Sequence, residues 1–142
     1  MRTVFWDYDT DHLRMIDQRR LPFETVVPAY DTYQAVAEAI RDMVVRGAPA
    51  IGAAAAFAMA LAARQSRAAD RLTLLRDLEA AAKALEAARP TAVNLAWAVR
   101  RQLRVAADEE LESAGDVRHA LLAEAQRLAD EDVALNRRMG FY

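Results

Sequence analysis

The chain has 142 residues, is 54% hydrophobic and 28% charged, and carries a net charge of −2 with no cysteine. That length suits one hydrophobic core, the near-neutral charge argues against a general nucleic-acid binder, which needs a basic face, and the missing thiols rule out disulfides and thiolate metal sites and fit a reducing cytoplasm. No signal peptide is evident, and the alanine-rich run from Ala48 to Ala63 is too short to span a bilayer comfortably.

The first thirty residues differ from the rest. Val4–Trp6 and Leu13–Ile16 read as short strands around a polar turn at Asp7–Asp11, and Thr25–Val27 is a third candidate ended by Pro28. So few strands do not fold alone. They are expected to form a small antiparallel sheet against helices, with Trp6 and Phe23 filling the seam.

From Asp31 the period becomes helical. Asp31 and Gln34 are spaced as a capping box, and Val36, Ile40, Met43 and Val44 make an apolar stripe leading to Arg46. The run Arg46-Gly47-Ala48-Pro49-Ala50-Ile51-Gly52 then joins a fixed cation to a tight turn and a helix with Pro49 at its first position. Two readings of Arg46 follow. It could sit on the last carbonyls of the preceding helix, with Gly47 ending that helix; or the turn and the helix's positive end could hold an anion, with Arg46 as a forked donor.

The helix from Pro49 to about Ala63 is apolar nearly all round and should be the central buried one, with Gly52 marking a place where a side chain would obstruct packing or ligand. A third helix, Asp70 to Ala87, turns Leu72, Leu75, Leu78, Ala82 and Leu85 inward and stops before Arg89-Pro90. The segment Arg89-Pro90-Thr91-Ala92-Val93-Asn94-Leu95 repeats the earlier design: arginine, proline, a capping threonine, then an apolar helix to about Ala106 with Leu95, Val99 and Leu103 on one face. Asn94 suits a cap or a ligand. The fifth helix, about Asp116 to Met139, turns Val117, Leu121, Ala125, Leu128, Leu135 and Met139 inward, with Gly140 as terminator. Its acidic run Asp130-Glu131-Asp132 points in different directions around the helix, as a solvated face does. His12 and His119 are far apart and suggest no metal site. The expected fold class is α+β: one domain over 1–142, with a small antiparallel sheet in 1–30 and a bundle of about five helices in 31–142.

The RGAPAIG and RPTAVNL runs together, with LRMIDQRRLPF from Leu13 to Phe23, resemble the methylthioribose-1-phosphate isomerase family, related to ribose-1,5-bisphosphate isomerases and to regulatory subunits of the translation-initiation exchange factor. The resemblance runs from about Val4 to Gly140. It implies the amino-terminal part of an aldose–ketose isomerase of methionine salvage, which converts 5-methylthioribose 1-phosphate into 5-methylthioribulose 1-phosphate through an enediol or by hydride transfer, without cofactor or metal. It implies that Arg46, Gly47, Ala48 and Arg89 bind the sugar phosphate, and that the full-length protein is a cytoplasmic homodimer without nucleic-acid or membrane partners. The family's catalytic cysteine and aspartate belong to a carboxy-terminal α/β domain, and no position here matches them. The expectation is therefore an amino-terminal fragment, or a truncated product that binds without turnover, with no catalytic residue of its own. Two further expectations follow: Arg46 and Arg89 converge in space, and the surface facing a second domain is unusually apolar. A non-catalytic helical interaction module of the exchange-factor type is the alternative.

Overall fold

The computed structural model describes residues 3–20 and 25–139. Three short strands, β1 (Val4–Asp7), β2 (His12–Met15) and β3 (Ala29–Tyr30), precede five helices: α1 (Tyr33–Arg41), α2 (Ala48–Gln65), α3 (Arg71–Ala88), α4 (Val93–Ala106) and α5 (Ala114–Met139). The strands form one antiparallel sheet in the order β1-β2-β3, with Trp6 opposite Leu13 and Leu13 opposite Tyr30. The expected α+β architecture, a helical bundle with a small amino-terminal sheet, is what the chain adopts.

The bundle is built around α2. Every residue from Ile51 to Ala63 is buried, and its alanines let four helices and the sheet pack on one axis. Trp6 is buried and stacks on Phe57 of α2 with ring centroids 5.9 Å apart, so the sheet closes one side of the bundle as expected. Gln102 of α4 is fully buried and its amide nitrogen donates to the carbonyls of Ala56 in α2 and Leu121 in α5, at 2.9 and 2.8 Å. The carboxyl end of α2 is closed by Arg118, whose guanidinium donates to the carbonyls of Ala63, Ser66 and Ala68. A cation there also complements the helix dipole.

Several sequence expectations shift. The third strand lies past Pro28, not at Thr25–Val27. The earlier segment still runs beside β2, with Met15 N–H donating to the Pro28 carbonyl and Asp17 N–H to that of Val26, but proline has no N–H to return. Thr32, not Asp31, caps α1, its hydroxyl accepting from Ala35 N–H. Helix α1 stops at Arg41, so Met43 leaves the apolar stripe, and α1 does not itself carry Arg46. In α3 the inward face is Leu74, Leu78, Ala81, Ala82 and Leu85, while Leu72 is 66% exposed, because a helix starting at Arg71 turns Leu74 to the core. Phe23, Gly140 and the side chains of Leu135 and Met139 lie outside the described residues.

Candidate functional site

The amino ends of α2 and α4 meet at one cleft of about 380 Å³, lined by Met43, Arg46, Gly47, Ala48, Ile51, Arg89, Thr91, Ala92, Val93 and Asn94. Arg46, Gly47, Ala48 and Arg89 thus border one space although 43 positions separate the two arginines. Gly52 helps bring the helices together: a Cβ built there would lie 3.6 Å from the Asn94 carbonyl oxygen, an ordinary contact. Alanine would therefore fit, and only longer side chains would push α4 away, a milder constraint than the sequence suggested.

The local reason for the opening at α2 is Gly47. Its φ of 90° and ψ of 135° place it at the N-cap in a conformation that L side chains rarely adopt, and Ala48 and Pro49 follow as the first two helical residues, one position off the expected Pro49 start. Proline contributes no N–H, and glycine offers no capping oxygen. At α4 the N-cap is Ala92, with Thr91 outside it, so the expected threonine cap is absent there too. Neither helix has a side-chain cap. By contrast, Thr32 caps α1, Asp70 caps α3, and Ser113 Oγ accepts from Asp116 N–H at the start of α5. The two helices that reach the cleft are the two whose first-turn N–H groups have no side-chain acceptor, and those groups carry the positive ends of the dipoles.

The charge balance points the same way. Among the described residues no carboxylate, histidine or lysine lines the cleft, and neither Arg46 nor Arg89 pairs with an acid. The helix-capping reading of Arg46 fails on geometry. Helix α1 ends five residues earlier, and Gly47 begins α2 instead of ending α1. Asn94 lines the cleft and makes no capping bond to a described residue. Two fixed cations and two open helix ends are groups that an anion could bind.

Away from the cleft, several charged side chains pair with one another. A wider groove between α4 and α5 holds Arg101 over the face of Trp97, with Glu124 bonded to both Arg101 and Arg127 at 2.8 and 2.6 Å. In the acidic run, Asp130 accepts from Gln126 and Glu131 lies 3.7 Å from Arg101. No cluster among the described residues could hold a metal ion, and no described helix is long and apolar enough to cross a membrane. Among the described residues the large exposed apolar side chains are Tyr8, Met43, Leu72, Val93 and Trp97. Met43 and Val93 border the cleft, and Trp97 follows one turn after Val93 on α4.

Comparison with known proteins places the chain in a family. The chain is 57% identical over 128 residues to the methylthioribose-1-phosphate isomerase of a Synechococcus species, covering 90% of this chain and 36% of that protein. It is 50% identical over 139 residues to the enzyme of the same name from Geobacter metallireducens, covering 98% of this chain and 40% of that one. Among solved structures, 5-methylthioribose 1-phosphate isomerase from Pyrococcus horikoshii matches with a TM-score of 0.91 at 42% identity, over 99% of this chain and 39% of its own. The delta subunit of translation initiation factor eIF-2B from A. fulgidus matches equally well, with a TM-score of 0.91 at 44% identity, over 99% and 40%. The chain thus spans well under half the length of these relatives. The family model described as the initiation factor 2 subunit family matches residues 44–142, a stretch that includes both cleft-forming helices, and the chain belongs to that family.

Proposed function

We propose that this chain is the phosphate-holding, amino-terminal part of an aldose–ketose isomerase that converts 5-methylthioribose 1-phosphate into 5-methylthioribulose 1-phosphate in methionine salvage. The observation that carries the proposal is the pairing of Arg46 and Arg89 with two uncapped helix ends at one cleft without a carboxylate. A phosphate monoester carries about −1.5 to −2 charge at neutral pH and has three strong acceptor oxygens. Forked guanidinium donors and outward N–H groups from Ala48 and from the first turn of α4 match that demand. Two cations that share one cleft repel each other, and an anion bound between them would offset that repulsion.

Moving a hydrogen between the first two carbons of the sugar needs a group that gives and takes protons. The side chains at the cleft do not include one that titrates near neutrality, and the chain has no cysteine. In this proposal Arg46, Gly47, Ala48 and Arg89 hold and orient the substrate. The proton- or hydride-handling groups come from a carboxy-terminal α/β domain outside this chain, in a cytoplasmic homodimer. A second reading, a non-catalytic regulatory module, draws on the similarity to the A. fulgidus initiation-factor subunit. Incubating the purified chain with 5-methylthioribose 1-phosphate separates the two. The proposal expects binding without formation of the ketose; a module that serves only assembly would not bind the sugar phosphate, and turnover by the chain alone would refute the division of labour.

A further inference from the structure

Arg46 and Arg89 reach the cleft on different supports. Arg89 is the C-cap of α3, and its carbonyl accepts from Ala92 N–H at 3.0 Å, so a long helix and a closed turn hold it. Arg46 stands on the link 42–47, which belongs to neither α1 nor α2. It is exposed, and its side chain has no hydrogen-bonding or ionic partner among the described residues. Its place in the cleft therefore depends on the backbone that carries it.

That backbone is clamped at Val44. Its N–H donates to the Ala39 carbonyl of α1 at 2.9 Å, and its carbonyl accepts from Gln18 N–H at 2.8 Å. Val44 and Val45 are both buried, so the link is anchored in the core just before Arg46 leaves it. Gln18 belongs to the segment after β2, whose successive N–H groups from Met15 to Gln18 donate to the carbonyls of Pro28, Thr3, Val26 and Val44. Only the last of these four bonds crosses to the link. Asp17 sets its direction. The buried Asp17 carboxylate accepts from Arg19 N–H at 3.0 Å and from Nε and Nη2 of the Arg19 guanidinium at 3.0 and 2.9 Å, which closes the 3₁₀ turn Gln18–Arg20 around the Gln18 peptide. Arg19 in turn lies within electrostatic reach of Asp42, the first residue of the link. Burying a carboxylate is costly unless it is paired and hydrogen-bonded. Of the buried polar side chains described, Gln102 and Glu124 join helices, whereas Asp17 holds this turn.

We propose that Asp17 is a positioning residue for Arg46: its carboxylate holds the turn that aims Gln18 N–H at Val44, and that bond fixes the arm from which Arg46 enters the cleft. The binding half of the test rests on the reading of the cleft as a sugar-phosphate site; the backbone half does not. NMR relaxation of the ligand-free chain and calorimetric titration with 5-methylthioribose 1-phosphate are applied to wild type, Asp17→Ala, Asp17→Asn and Gln18→Pro. Gln18→Pro deletes the one donor at a first helical position, which proline tolerates, so it tests the bond without touching the carboxylate. Asp17→Ala and Gln18→Pro should each lower the backbone order parameter of Arg46 from about 0.85 to below about 0.6, while Ala98 in α4 keeps its value. Asp17→Asn keeps an acceptor for Arg19 N–H and should leave Arg46 ordered, even if loss of the ion pair lowers Tm. Both disruptive variants should weaken the sugar phosphate by roughly three- to tenfold, but by less than about twofold when Arg46 is already alanine, because a residue that acts through Arg46 is coupled to it. Equal losses in the two backgrounds are what general loosening gives and would overturn the positioning role. An Arg46 that stays ordered in both disruptive variants, or is as mobile in Asp17→Asn as in Asp17→Ala, would also overturn it. A wild-type chain that binds no sugar phosphate would overturn the reading of the cleft, and the order parameters would still decide the arm.

Discussion

Gln102 is the polar pin through the middle of the bundle, and substitutions there separate its hydrogen bonds from its volume. Its amide nitrogen donates two bonds, of 2.9 and 2.8 Å, to carbonyls of α2 and α5, while its oxygen is buried without a partner. Each bond contributes about 1 kcal/mol net, and the unpartnered oxygen costs about 1–3 kcal/mol. The two carbonyls lie within helices, where an N–H four residues on already uses one lone pair. Gln102→Leu therefore loses about 2 kcal/mol of hydrogen bonding, removes the stranded oxygen and fills nearly the same space, so its unfolding free energy should stay within about 1 kcal/mol of wild type. Gln102→Ala loses the bonds and leaves a cavity in the packed core, for a total of about 3 kcal/mol. At about 2–4 °C per kcal/mol that is a fall in Tm of roughly 6–12 °C. Gln102→Glu should be the worst of the three at neutral pH, because a carboxylate would face two carbonyl oxygens with no donor to give, and it should recover in part as acid protonates it. Urea unfolding of the three variants reads all of this. Equal losses for Leu and Ala, or a mild Glu, would refute the assignment of the amide nitrogen to the two carbonyls.

Gly47→Ala should destabilise the chain by about 1 kcal/mol through its φ of 90° alone, since nothing lies within 4 Å of the Cβ it would gain; a loss as large as that of a core cavity, measured by urea unfolding, would contradict an open cleft at that point. The Asp70 carboxylate accepts from the hydroxyl and N–H of Thr73, and these bonds hold its pKa below the ordinary 3.8. A carboxyl depressed in the folded state stabilises at pH values above its unfolded pKa and loses that contribution as pH falls through the folded one. The stability gap between wild type and Asp70→Ala should therefore be constant from neutrality to about pH 5 and shrink below about pH 4, as followed by thermal melts across that range; a gap unchanged at pH 3 would refute the charged cap.

What the sequence disclosed follows from the range of each interaction. The all-round apolar run of α2 and the stripe through Leu78, Ala82 and Leu85 are local patterns with one solution each, and both were legible. The first turn of α3 was not: leucines at 72, 74 and 75 fit more than one phase, and only the start at Arg71 selects Leu74. The RPTAVNL run reads as a threonine-capped helix because threonine is a good cap. The chain instead spends one more residue outside the helix and leaves Ala92 at the boundary, which is how the cleft keeps free N–H groups. The structural role of Gln102 could have been read from its place on the buried stripe Leu95, Ala98, Val99, Ala106. Arg118 gave no such sign, since its partners lie 50 or more positions away. Convergence of Arg46 with Arg89 is likewise beyond any periodicity, and only the resemblance of the two runs to one family suggested it.

The central claim is that Arg46 and Arg89 hold one phosphate. A double-mutant cycle for 5-methylthioribose 1-phosphate binding tests it, using wild type, Arg46→Ala, Arg89→Ala and the double variant. A charge-assisted hydrogen bond contributes about 1.5–3 kcal/mol, so each single change should weaken binding by roughly ten- to a hundredfold. Residues sharing one ligand group are coupled, so the double variant should lose less than the sum of the two, with an interaction of at least about 0.5 kcal/mol. Arg46→Lys should fall between wild type and Arg46→Ala, keeping charge without the fork. Single variants that bind as tightly as wild type would contradict the claim.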